Sequence, residues 1–79
     1  MKAIIYFKDS SVKSCVTIEN LSLIKGRSSD EHKRPKNYDT EEKFLIFTPF
    51  ADESYSFTGS NGTFSIAGAE ILYVEFNAD

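Results

Sequence analysis

The sequence holds one cysteine, Cys15, among 79 residues. That excludes an intramolecular disulfide and a zinc site built from several thiolates of this chain. Such sparing use of cysteine fits a reducing compartment, and a cytoplasmic location is expected. Tryptophan is absent, and no apolar run approaches the roughly 18 residues that a membrane-spanning helix requires. The first apolar run, Ala3-Ile4-Ile5-Tyr6-Phe7, gives way to charge at Lys8 and Asp9, so neither a signal peptide nor a membrane span is expected. A basic excess is lacking too. The net charge of −3 speaks against a broad phosphate-binding footprint, which needs Lys and Arg gathered on one face. A local basic patch remains compatible with it. There is no glycine-rich phosphate loop, nucleophile elbow or zinc-protease motif, and no stretch sustains the 3.6-residue apolar period of a long helix.

What is present is aromatic and β-branched. Seven Phe and four Tyr, each able to remove on the order of 150–250 Å² from water, supply a core for one domain over residues 1–79, thin as a chain of this length dictates. Residues 3–7 are apolar on both faces, as in a central strand, and Asp9-Ser10-Ser11 supplies turn chemistry. Residues 12–19 alternate, with Val12, Ser14, Val16 and Ile18 on one face and Lys13, Cys15, Thr17 and Glu19 on the other. Beyond Asn20, Leu21, Leu23 and Ile24 resume the rhythm through either a bulge or a tight turn.

Residues 26–42 are almost wholly charged, polar, Gly or Pro, and read as a long polar loop, with one helical turn capped by Asp39 a possibility at its end. Residues 44–48, apolar on both faces, read as a strand ended by Pro49. The strongest local signal is Asn61-Gly62, the preferred pair for a two-residue type I′ turn. It sets Ser60 opposite Thr63, Thr58 opposite Ser65 and Phe57 opposite Ile66, with Tyr55, Phe57, Phe64 and Ile66 sharing a face. A kink at Ala67-Gly68-Ala69 precedes a last strand over residues 70–76. The expected fold is all-β: five or six antiparallel strands in a small barrel or strongly bent sheet.

Candidate sites each have a plain alternative. His32, among Asp30, Glu31, Lys33 and Arg34, has the makings of a metal ligand or proton relay, but a metal site needs further ligands on a rigid scaffold, and a solvated loop histidine explains it. Cys15 beside Lys13 is a candidate nucleophile, or a small half-buried strand residue. Asp52, Glu53, Glu70, Glu75 and Asp79 offer carboxylates for acid–base work, or serve solubility and the blunting of a sheet edge. Arg27, Lys33, Arg34 and Lys36 could grip phosphates while Tyr38 stacks on a base, although Asp30, Glu31, Asp39, Glu41 and Glu42 dilute that field. Phe50, Tyr55 and Tyr73 are the aromatics to examine for exposure, since such side chains often carry interface energy.

The runs Met1-Lys2-Ala3-Ile4-Ile5-Tyr6-Phe7-Lys8-Asp9, Val16-Thr17-Ile18-Glu19-Asn20-Leu21 and Ile71-Leu72-Tyr73-Val74-Glu75-Phe76, together under half of the chain, resemble small β-rich accessory proteins of bacteriophages and prophages of low-GC Gram-positive bacteria. The resemblance implies a protein that works by binding, as a virion or regulatory accessory or an inhibitor of a host defence protein such as a CRISPR nuclease. The expected function is thus a non-enzymatic protein-interaction module needing no cofactor, its partner met by the long loop or a sheet edge. Homo-oligomerisation through an edge strand is a further expectation. The alternative is nucleic-acid or nucleotide binding through Arg27, Lys33, Arg34, Lys36 and Tyr38.

Overall fold

The computed structural model describes residues 1–8, 15–28 and 36–78. In chain order its elements are β1 (Lys2–Phe7), β2 (Cys15–Ile18), β3 (Leu23–Ser28), β4 (Lys36–Tyr38), α1 (Glu41–Leu45), β5 (Glu53–Gly59), β6 (Gly62–Ala67), a 3₁₀ turn (Gly68–Glu70) and β7 (Ile71–Asn77). The strands form two antiparallel sheets, ordered β2-β1-β7 and β4-β3-β5-β6. Seven strands among the described residues thus replace the five or six expected from the sequence.

In the first sheet β1 is central, as its two-sided apolar pattern predicts. Ala3 and Ile5 turn into the core opposite Ile18 and Val16, while Ile4 and Tyr6 lie on the outer face opposite Thr17 and Cys15. The turn expected at Asp9-Ser10-Ser11 and the strand residues 12–14 lie outside the described residues. On the other side of β1 the register shifts: Tyr6 faces Tyr73, but Phe7 faces Ile71, which leaves Leu72 as the extra residue of a bulge. One extra residue inverts the alternation beyond it. Ile71 is therefore buried with the core and Leu72 is exposed.

Asn20 adopts φ 49, a left-handed conformation that Asn tolerates better than most residues. It resolves the choice between bulge and turn, because β2 and β3 on either side belong to different sheets. β3 then runs on through Arg27 to Ser28 and pairs with β4, with Ile24 opposite Tyr38, Lys25 opposite Asn37 and Gly26 opposite Lys36. The long loop expected over 26–42 is therefore corrected: its described ends are strands, followed by α1. Ladder bonds join backbone groups whatever the side chains, so a polar edge strand escapes a reading based on apolar alternation.

The hairpin of β5 and β6 keeps the expected faces but not the expected register. Phe57 faces Phe64, Tyr55 faces Ile66 and Thr58 faces Thr63, a slip of two residues from Thr58 opposite Ser65. Because side chains alternate with period two, a two-residue slip leaves every residue on its face. The turn is Ser60 and Asn61, not Asn61 and Gly62, and Gly62 behind it takes the positive φ of 125.

Residues 44–48 depart furthest from expectation. They were expected as a strand; instead Thr40 caps α1, its hydroxyl accepting from the Lys43 N–H at 3.3 Å, and the helix ends at Leu45. Asp39, the expected cap, pairs instead with Lys43 at 3.2 Å. Phe44 and Phe47 both reach the core, whereas Leu45 and Ile46 are 66% and 75% exposed. A spacing of three places two residues on one helical face; the strand reading required two apart.

Besides the Phe7–Phe64 ring contact between β1 and β6, centroids 5.8 Å apart, two seams of different kinds join the sheets. At one, the β5–β6 turn abuts the end of β2: the Ser60 N–H donates to the Glu19 carbonyl at 2.8 Å, the Glu19 N–H donates to Asn61 Oδ1 at 2.9 Å, and Asn61 Nδ2 donates to the Thr17 carbonyl at 3.0 Å. Gly59 permits this approach, since a Cβ there would collide with the Glu19 carbonyl and the Ile18 side chain. At the other, Phe47 sits edge-on to Tyr38 of β4, Tyr55 and Phe57 of β5 and Phe76 of β7, while Phe44 stacks on Phe76. A single backbone bond, a side-chain amide and aromatic rings join the sheets at these seams, where a closed barrel would have continuous ladders.

Candidate binding surfaces

Strand parity decides where the predicted phosphate-gripping residues point. Gly26 and Lys36 are partners on the side of β3 that carries the buried Ile24 and its partner Tyr38, whereas Arg27 and Lys25 belong to the opposite, outer side. Lys36 lies 3.7 Å from Glu53 Oε1 and 4.9 Å from the centroid of the Phe50 ring, and so joins a structural cluster. Tyr38 is half-buried with its ring against Phe47, centroids 5.1 Å apart. The ring expected to stack on a base thus has a T-shaped contact with a core aromatic and remains partly exposed. His32, Lys33 and Arg34 lie outside the described residues.

The cluster around Glu53 is the main buried polar feature among the described residues. Glu53, only 6% exposed, accepts the Tyr55 hydroxyl proton at 2.7 Å, and the same hydroxyl accepts from the Phe50 N–H at 2.8 Å. Burial pushes the Tyr55 phenol well above its ordinary value of 10.0; the Phe50 N–H works against that rise, and the Glu53 carboxylate adds to it. Every polar atom of this group has a use in holding the 50–53 turn against β5. Gly68 packs there too, where a Cβ would strike the Phe50 carbonyl.

Cys15 is half-buried on the outer face of the first sheet, next to Tyr6 in register. Among the described residues no three His, Cys, Asp or Glu side chains gather as a metal site, and no helix is long and apolar enough to cross a membrane.

The outer faces of the two sheets have opposite chemistry. On the four-stranded sheet, register aligns Asn37, Lys25, Ser56 and Ser65 in one row, Arg27, Ser54 and Ala67 in the next, and Leu23, Thr58 and Thr63 in a third. Hydroxyls bond across the strands, Ser56 to Ser65 at 2.9 Å and Thr58 to Thr63 at 3.2 Å. No carboxylate stands in these rows. On the three-stranded sheet, the Tyr6 and Tyr73 rings stack with centroids 4.5 Å apart and planes 20° from parallel, and the Tyr6 hydroxyl donates to Glu75 Oε2 at 3.2 Å. Burial first, and then the Glu75 carboxylate, push the Tyr6 phenol up.

Sequence reasoning named Phe50 and Tyr73 among the aromatics to examine, and both are about half exposed, while Tyr55 is buried. It missed Leu45, Ile46 and Leu72, which are also exposed. The helical spacing of Phe44 and Phe47, together with the Thr40 cap, was the signal that could have revealed the first two; nothing local marks the bulge at Leu72. No family model matches this chain, and neither the curated proteins nor the solved structures include one significantly similar to it.

Proposed function

We propose that this protein is a non-enzymatic interaction module that engages a protein partner through exposed apolar side chains on a rigid β scaffold. The supporting observation is the pair Leu45 and Ile46, held out to solvent because Phe44 and Phe47 anchor the same turn in the core. Covering an exposed Leu or Ile contributes about 1.5–3 kcal/mol per side chain, so this pair alone can weight an interface. Leu72 and Phe50 add further exposed apolar surface. The resemblance to phage accessory proteins directs the search for a partner toward bacterial host proteins, a CRISPR nuclease among them.

The test is capture from bacterial extract with the wild-type protein and a Leu45→Ser/Ile46→Ser variant of matching circular dichroism. A protein retained by the first and lost by the second supports the reading. Equal capture by both, or none by a strictly monomeric wild type, rejects it.

One observation favours a second reading, nucleic-acid or nucleotide binding: Lys25 and Arg27 stand on a sheet face whose rows hold hydroxyls and no acid. Binding of a single-stranded oligonucleotide would then weaken steeply with salt and be lost in Lys25→Ala/Arg27→Ala.

A further inference from the structure

β7 is an edge strand, with β1 on one side and no strand on the other among the described residues. An open edge offers main-chain donors and acceptors to an added strand, and the side chains beside it choose which strand is added. Along β7 two of those side chains attract cations. Tyr73 and Glu75 both lie on the outer face, two residues apart, with Tyr6 behind them. Tyr6 occupies one side of the Tyr73 ring; the other side is turned toward the open edge, and Tyr73 is 55% exposed.

The electron-rich face of a tyrosine attracts a guanidinium or ammonium group. Glu75 stands beside it as a carboxylate that no ion pair holds among the described residues. Lys2, the basic residue of β1, pairs instead with Glu19 at 3.7 Å. Leu72, pushed out by the bulge, adds an exposed apolar contact next to Tyr73.

We infer that the edge of β7 receives an extended peptide segment bearing basic residues, Arg above all, at alternate positions, so that one cation lies on Tyr73 and the next meets Glu75. Cross-strand neighbours stand roughly 4.5–5.5 Å apart and diagonal ones roughly 7–8 Å, distances that an Arg side chain spans. The inference rests on the interaction reading above and names the chemistry of a partner, while using a different surface from Leu45 and Ile46.

The probe is the peptide Thr-Arg-Val-Arg-Thr, blocked at both ends, with Thr-Glu-Val-Glu-Thr as control, followed by amide chemical shifts of the full chain. The basic peptide shifts β7 amides and the Tyr73 ring and binds at least tenfold more tightly than the acidic one. Tyr73→Ala and Glu75→Gln, each checked for an unchanged amide spectrum away from β7, reduce that affinity severalfold; Tyr73→Phe retains it. Equal binding of both peptides, or shifts located away from β7, overturns the inference. So does a dimer formed through β7 that the basic peptide cannot displace. If no peptide binds but capture still depends on Leu45 and Ile46, the inference falls and the interaction module stands. If peptide binding survives while that capture fails, the protein interacts through the β7 edge and the assignment of the interface to Leu45 and Ile46 falls.

Discussion

The two seams that join the sheets do the same work with different forces. At the β2 seam the contacts are short, polar and directional, and most lie within reach of water: Asn61 reads the Glu19 amide and the Thr17 carbonyl as an additional strand would. At the α1 seam the contacts are aromatic, and Phe47 touches rings from three strands. Hydrogen bonds exchanged with water contribute about 0.5–1.5 kcal/mol each, whereas loss of a buried Phe costs about 3–5 kcal/mol. The aromatic seam should therefore carry stability, and the polar seam should set alignment and block a sheet edge.

The sharpest way to break this comparison is Phe47→Ala. It should cost about 3–5 kcal/mol, a large share of the roughly 5–15 kcal/mol that holds a small domain, and urea denaturation will show it as a collapsed midpoint. Phe47→Leu should lose less, because volume is partly kept. A small effect of Phe47→Ala would mean that the polar seam and the Phe7–Phe64 contact hold the sheets without it.

Next in size is Tyr55→Phe, which strips the buried Glu53 of its hydroxyl donor and the Phe50 N–H of its acceptor. A loss of about 1–3 kcal/mol is expected. The same variant tests a pH dependence. The folded phenol titrates above its unfolded value of 10.0, so its stabilising contribution is complete below about pH 10 and is lost as pH rises toward the folded value. Thermal melts between neutral and strongly alkaline pH should fall less steeply in Tyr55→Phe, leaving the gentler contribution of Tyr6.

At the polar seam, Asn61→Ala should cost about 1–2 kcal/mol and speed hydrogen exchange at the Glu19 amide while leaving the amides of α1 unchanged. Asn61→Asp, which keeps the acceptor and loses the donor, should fall between. If Asn61→Ala accelerates exchange at both seams equally, the seams form one cooperative unit. Smallest of all, Leu45→Ser/Ile46→Ser should stay within about 0.5 kcal/mol of wild type, since neither side chain supports either seam.

Much of the first sheet was legible in the sequence. Ala3, Ile5, Val16 and Ile18 declare a buried face by alternation alone, and β1 declares its central place by being apolar on both sides. Pattern reading failed where local signals had two meanings. Residues 44–48 satisfy strand and helix alike when four apolar residues stand in a row, and the choice falls to the Thr40 cap and to what surrounds Phe47. Asn61-Gly62 pointed to a turn one residue away from the real one, Ser60-Asn61: Gly62 behind it supplies positive φ, and Asn61 is used for its amide, 44 residues away from Thr17 in sequence. At the β7 edge, Tyr73 is legible in the sequence as a candidate exposed aromatic, whereas the exposure of Leu72 depends on a bulge that only the pairing with β1 creates.

Alternation, turn chemistry and aromatic content determined that this chain builds antiparallel strands and which faces are buried, because those properties depend on residues two to four positions apart. Tertiary structure decided the number of strands, their division between two sheets and the exposure of Leu45, Ile46 and Leu72. Each of these depends on which distant backbone or ring a residue meets, and period-two patterning is silent on a register shifted by two residues.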